Sequence, residues 1–107
     1  MGEANGKDPA VIRLKLNQDT AKIAWSALHE HQQQDSVIEV STDLDLIDVA
    51  CEFALDNSEQ VRAWLEQARI AKVSDEQALE WSADDRQLWA VVVAPWVLVQ
   101  LQKPGTN

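Results

Sequence analysis

The chain has 107 residues, 46% of them hydrophobic and 25% charged, with a formal net charge of −9. That length holds one ordinary domain, and the composition is globular, which excludes a disordered or low-complexity chain. No internal repeat or Gly/Ser linker is visible, and a single cysteine, Cys51, excludes an internal disulfide framework.

Residues 1–7 read as a polar, disordered tail without the apolar region of a secretory signal. A single domain is expected over 8–103, with 104–107 a second disordered tail. Asp8-Pro9 has the form of a helix start, Asp as N-cap and Pro at the first helical position. Ile12, Leu14 and Leu16, however, alternate with Arg13 and Lys15 as a strand would. The helix reading is preferred for 9–17.

Ala21, Ala24, Trp25 and Leu28 recur at i, i+3, i+4 and i+7, predicting a helix that ends near Gln32-Gln33-Gln34. It starts either at Asp19 or nearer Trp25. A short β-branched strand is expected at 36–40. Thr42 and Asp45 have capping-box spacing, opening a helix over about 43–56. Beyond Asp43 its polar positions are Asp45, Asp48, Glu52 and Asp56, which fall on one narrow stripe. A helix apolar around the rest of its circumference is buried on most sides.

Ser58 is placed to cap the next helix, in which Val61, Trp64, Leu65 and Ala68 share one face. A strand at 70–73 follows. Ser74 with Gln77 forms a second capping box for a helix through Trp81, and Asp84-Asp85-Arg86 turns the chain. The final run, Leu88 to Leu101, is 14 residues rich in Val and Trp. As one strand it would span roughly 46 Å, too long for a domain whose radius of gyration is near ~13 Å. Two strands, 88–94 and 96–101, therefore meet at Ala94-Pro95, or one strand kinks there. The fold expected is α+β, with four or five short helices on a small, mainly antiparallel sheet. Both faces of Leu88–Val93 are apolar, so the sheet needs two covers. Short helices leave room for a second copy as one of them, which predicts a homodimer.

From Ile23 to Val61 there is no Lys or Arg but there are nine acids, while the remaining nine acids are matched by nine bases. The whole net charge thus lies in one third of the chain. Nucleic acid and anionic membrane are disfavoured as partners, since phosphate affinity needs clustered Lys and Arg. A basic protein surface is the better fit. The apolar run is also short of the about 20 residues that span a bilayer. A lone cysteine and no signal point to the cytoplasm.

Thr20-Ala21-Lys22-Ile23 with Trp25, Asp43-Leu44-Asp45-Leu46-Ile47, Asp56 with Val61 and Trp64, and Ser74-Asp75-Glu76-Gln77 with Trp81 form a distinctive set. The string from Trp89 through Ala94-Pro95-Trp96 to Gln100 is its longest member. Together, over about 19–100, these residues resemble a family of small uncharacterised bacterial proteins, domain of unknown function 2288. The resemblance implies a bacterial, cytoplasmic protein and no particular activity, so it brings no catalytic residues with it.

The sharpest constellation is Asp45, Asp48, Glu52 and Asp56, with Asp43 and Glu39 nearby. As a solvated face it serves solubility; as a site it suits a basic partner or a hard cation. Like charges at i, i+4 repel with no Lys or Arg close in sequence, and Arg62, Arg69 or Lys72 are candidates to relieve them in the fold. The Asp43-x-Asp45 spacing fails as an EF-hand loop, with Ile47 at its fifth position and Asp48 where Gly is needed at the sixth. His29 and His31 are about 200° apart on a helix and cannot share a metal. Cys51 lies among Val49, Ala50 and Phe53 as a packing residue. Trp25 and Trp64 suit the core, while Trp89 and Trp96 are candidate interface aromatics. With no cofactor motif, the preferred function is a non-enzymatic, homodimeric interaction module with an acidic helix face for a basic partner. The alternative is a small enzyme or cation-dependent ligand-binding protein using the carboxylates of helix 43–56.

Overall fold

A computed structural model describes residues 8–101. The tails expected at 1–7 and 104–107, and the domain's last residues, lie outside that range. The described chain has an α+β fold of five α-helices and a five-stranded sheet.

Helix α1 (Pro9–Asp19) is capped by Asp8, whose carboxylate accepts from the N–H of Ala10 at 3.0 Å. The helical reading of 9–17 thus holds. Ile12 and Leu16, four apart, pack inward, and the alternation with Leu14 is coincidental because Leu14 faces solvent. The helix expected from Asp19 or Trp25 is largely corrected. Ala21–Ala24 is an edge strand, β1, and Trp25–Leu28 is a 3-10 turn leading into a short α2 (His29–Gln33). Pairing with a strand more than 60 residues away satisfies the β1 backbone, which local periodicity cannot reveal. Trp25 and Leu28 still share a buried face because 3-10 geometry also brings i and i+3 together.

Strand β2 (Val37–Val40) precedes α3 (Leu46–Ala54). That helix starts later than expected. Asp45, not Thr42, is its N-cap, accepting from the N–H of Ile47 at 2.8 Å. It ends in a Schellman turn: Asp56 takes φ 60°, and the Asn57 N–H reaches Glu52 O at 2.9 Å. Asn57 rather than Ser58 then caps α4 (Ser58–Glu66), which closes likewise with Ala68 at φ 59°. Strand β3 (Ile70–Lys72) leads to α5 (Asp75–Ala83), where the expected Ser74 cap is present, accepting from the Gln77 N–H at 3.1 Å. The final run is a hairpin of β4 (Gln87–Val93) and β5 (Trp96–Gln100), turning at a cis Ala94–Pro95 bond.

The strand order is β1-β4-β5-β2-β3, with every pairing antiparallel except β2 with β5. Alternate residues of the central strands feed two cores. On one face Ile38, Val40, Val91 and Leu98 pack under α1, α3 and α4. On the other, Val37, Leu88, Ala90, Val97 and Val99 pack under the 3-10 turn and α5, with Trp25 and Trp81 edge to face at 5.2 Å. The chain's own helices supply both covers. On the second face they leave Val92 open, at 59% exposure.

Candidate functional site

The acidic stripe of α3 divides into two halves with different surroundings. Its first half serves the fold. Asp45 is the N-cap, and Asp48 forms an ion pair with Arg13 of α1 at 2.6 Å. The hydrogen bond to Asp48 raises the Arg13 guanidinium above its ordinary value, against the opposing effect of burial. Arg13 also lies 4.0 Å from the Sγ of Cys51, whose thiol is pushed up by its apolar burial. A nucleophilic thiol needs the opposite shift. Arg69 and Lys72, expected to relieve the stripe, instead pair with Asp43 and Asp35 at 2.9 and 3.1 Å. The relief comes from Arg13, on a helix that sequence spacing did not connect to α3.

The second half faces a cavity. Glu52 and Asp56 line a groove of about 250 Å³ between the α3–α4 corner and the β4–β5 turn. Its apolar wall is Phe53, Val61, Pro95 and Trp96. Glu52 accepts from the Asn57 amide at 2.7 Å, which orients its carboxylate along the rim. The Schellman turn fixes Asp56 beside it. Trp96 already holds one cation, since Lys72 Nζ lies 5.6 Å from its ring centroid. The fold therefore brings together three of the candidate residues, Glu52, Asp56 and Trp96. It separates Trp89, which is half-buried opposite Gln100 and packed against the α3 core.

Two further clefts carry polar side chains. One, on the sheet's other face, is lined by Glu39, Ser41 and Arg69. The other gathers Trp25, His29, Ser82 and Asp85. In the latter the polar groups satisfy one another. Ser26 donates its N–H and hydroxyl to Asp85 at 2.9 and 3.2 Å, Trp25 donates to Ser82 at 3.1 Å, and His29 contacts Gln33 at 3.2 Å. No serine there is bonded to His29, so no nucleophile–base pair is assembled. Among the described residues, no three His, Cys, Asp or Glu side chains are grouped to hold a metal ion. No described helix is long and apolar enough to cross a membrane. The groove beside Pro95 was not legible in the sequence, although the Asp56-Asn57 break and the Ala94-Pro95 turn mark its two walls.

A family model described as "Protein of unknown function (DUF2288)" matches residues 11–101. Among solved structures, the chain is similar to PA1075 from Pseudomonas aeruginosa, determined in solution by NMR. The two are 36% identical over 92% of this chain and 91% of that one, with a TM-score of 0.76. Among curated proteins nothing matches.

Proposed function

The chain belongs to the DUF2288 family of proteins of unknown function, and we propose that it is a non-enzymatic interaction module that docks a basic segment of a cytoplasmic protein partner. The observation that carries this reading is the meeting of Glu52, Asp56, Phe53 and Trp96 in one groove. An arginine or lysine lays its aliphatic stem on apolar surface and keeps its charged head at the rim. Here the stem would lie on Phe53 and Trp96 and the head against two carboxylates. The segment that supplies these two carboxylates carries nine acids and no Lys or Arg from Ile23 to Val61.

Magnitudes set the size of the partner. A rim ion pair contributes about 0.2–1 kcal/mol and an exposed cation–π contact about 0.5–1 kcal/mol. One basic residue therefore gives at best millimolar binding, and a micromolar complex, near −8.2 kcal/mol in the standard state, needs several contacts. The partner is accordingly a segment with repeated basic residues that extends beyond the groove.

The test is fluorescence anisotropy with a labelled peptide in which four arginines alternate with leucines. Binding is expected to weaken steeply with added salt and at least tenfold in Glu52→Gln/Asp56→Asn, while Asp75→Asn, on a different helix, changes little. Equal binding by the double variant and the parent refutes the groove as the docking site. The homodimer expected from the sequence keeps one supporting observation, the exposed Val92 on the sheet's second face. A light-scattering mass of one 12.0 kDa chain overturns it.

A further inference from the structure

The cleft on the sheet's other face shares no residue with the acidic groove, and strand register builds it. Glu39 of β2 lies opposite Ala71 of β3 on one side and Val99 of β5 on the other. Two residues on, Ser41 returns to the same face, its backbone N–H bonded to Arg69 O at 2.9 Å. Ala71 has only a methyl group, so the space beside the Glu39 carboxylate stays open. Glu39, Ser41, Thr42, Arg69, Ile70 and Leu101 line the resulting cleft of about 350 Å³.

The charges in this cleft do not balance. Arg69 donates to Asp43 at 2.9 Å, and the Ser41 hydroxyl also donates to Asp43. That pair is complete. Glu39 is half-buried, and among the described residues it has no hydrogen-bond or ion-pair partner. Burial pushes its carboxyl above the usual range. A carboxylate removed from water without a donor is held at a cost that a cationic ligand recovers. Among the described residues the cleft thus carries one uncompensated negative charge, two hydroxyls that accept or donate, and the aliphatic side chain of Leu101 beside the Ala71 methyl.

We propose that this cleft binds a primary alkylammonium group, with its N–H donors on Glu39 and the Ser41 and Thr42 hydroxyls and its alkyl chain along Leu101 and the Ala71 methyl. The geometry selects for one positive charge, because Arg69 and Asp43 already cancel, and for a short chain, because the volume is that of a small-ligand site. It excludes an anionic ligand, which would meet Glu39 directly.

The experiment is a titration of the isotope-labelled full chain with n-butylammonium chloride, followed by amide NMR at constant ionic strength. Matched titrations use n-butanol and sodium butyrate. Saturable shifts are expected within about 20 mM at the amides of 39–42 and 69–71. The Glu39→Gln variant, which keeps shape and loses charge, is expected to bind at least tenfold more weakly while melting no lower than the parent. Three results overturn the proposal: no saturable shift, equal shifts with n-butanol, or equal affinity in Glu39→Gln. Shifts confined to the amides around Glu52 and Asp56 also overturn it, since they place the cation in the acidic groove.

Discussion

Gln100 is only 2% exposed, beside the apolar core under α1 and α3. Its amide nitrogen donates to Ser41 O at 2.8 Å and to Leu44 O at 2.6 Å. These two bonds tie the end of β5 to the loop that presents Asp45 as the α3 cap. Gln100→Leu keeps the side-chain volume and removes both donors. Ser41 O retains the N–H of Leu44 at 3.0 Å, so its loss is one shared bond of about 1 kcal/mol. Leu44 O loses a bond from a buried amide, which costs about 1–3 kcal/mol when nothing replaces it. The expected destabilisation is therefore about 2–4 kcal/mol, a large part of the ~5–15 kcal/mol that holds a domain together. Urea unfolding followed by tryptophan fluorescence reads this as a lower midpoint at unchanged slope. Hydrogen exchange at the Ile47 amide, which Asp45 caps, should quicken by the same loss of local stability. A variant within about 0.5 kcal/mol of the parent would refute the assignment, showing that water serves both carbonyls as well as Gln100 does.

Ala68 occupies the left-handed position that ends α4, where its Cβ costs about 1 kcal/mol, so Ala68→Gly is expected to raise the melting temperature by about 4–8 °C. Trp81 is 1% exposed, and Trp81→Ala is expected to cost about 3–5 kcal/mol in the second core by the same unfolding assay. Because burial raises Glu39, the folded state binds its proton more tightly than the unfolded chain does. Its share of stability therefore grows as pH falls from neutral toward the unfolded value near ~4.3, and Glu39→Gln should flatten that rise in a series of melts. Asp43, held low by the Ser41 hydroxyl and by Arg69, acts in the opposite sense. Its contribution is present above the unfolded value near ~3.9 and is lost below it, outside the Glu39 window.

Most elements are readable one at a time. The Asp8-Pro9 start, the Ser74 cap, the apolar circumference of α3 and the break at Pro95 all rest on interactions among near neighbours. The error at Ala21–Ala24 has the opposite cause. Four residues with a small apolar repeat satisfy a helical template, but their backbone bonds go to Gln87–Ala90. The cap at Asp45 was missed for a related reason: Thr42 has suitable spacing, but the Gln100 amide holds the loop open until Asp45.

The candidate site divides along the same line. Helical spacing was enough to place Asp48 and Glu52 on one face of α3, while Asp45 is its N-cap and Asp56 sits in the left-handed turn beyond its end. It does not tell which of them meets a partner. Arg13 arrives from α1 to occupy Asp48, and the hairpin brings Pro95 and Trp96 to Glu52 and Asp56, across some 40 residues of sequence.

By itself the sequence determined the α+β class, the segregated charge and the identity of the acidic face, because propensity, capping and helical period act within a few residues. The tertiary structure alone decided that both sheet faces carry helices of the same chain, that half the acidic stripe is consumed by the fold, and that Glu39 stands without a partner among the described residues. Those outcomes depend on strand register and on charges meeting across the sheet, and register is set only when the strands pair.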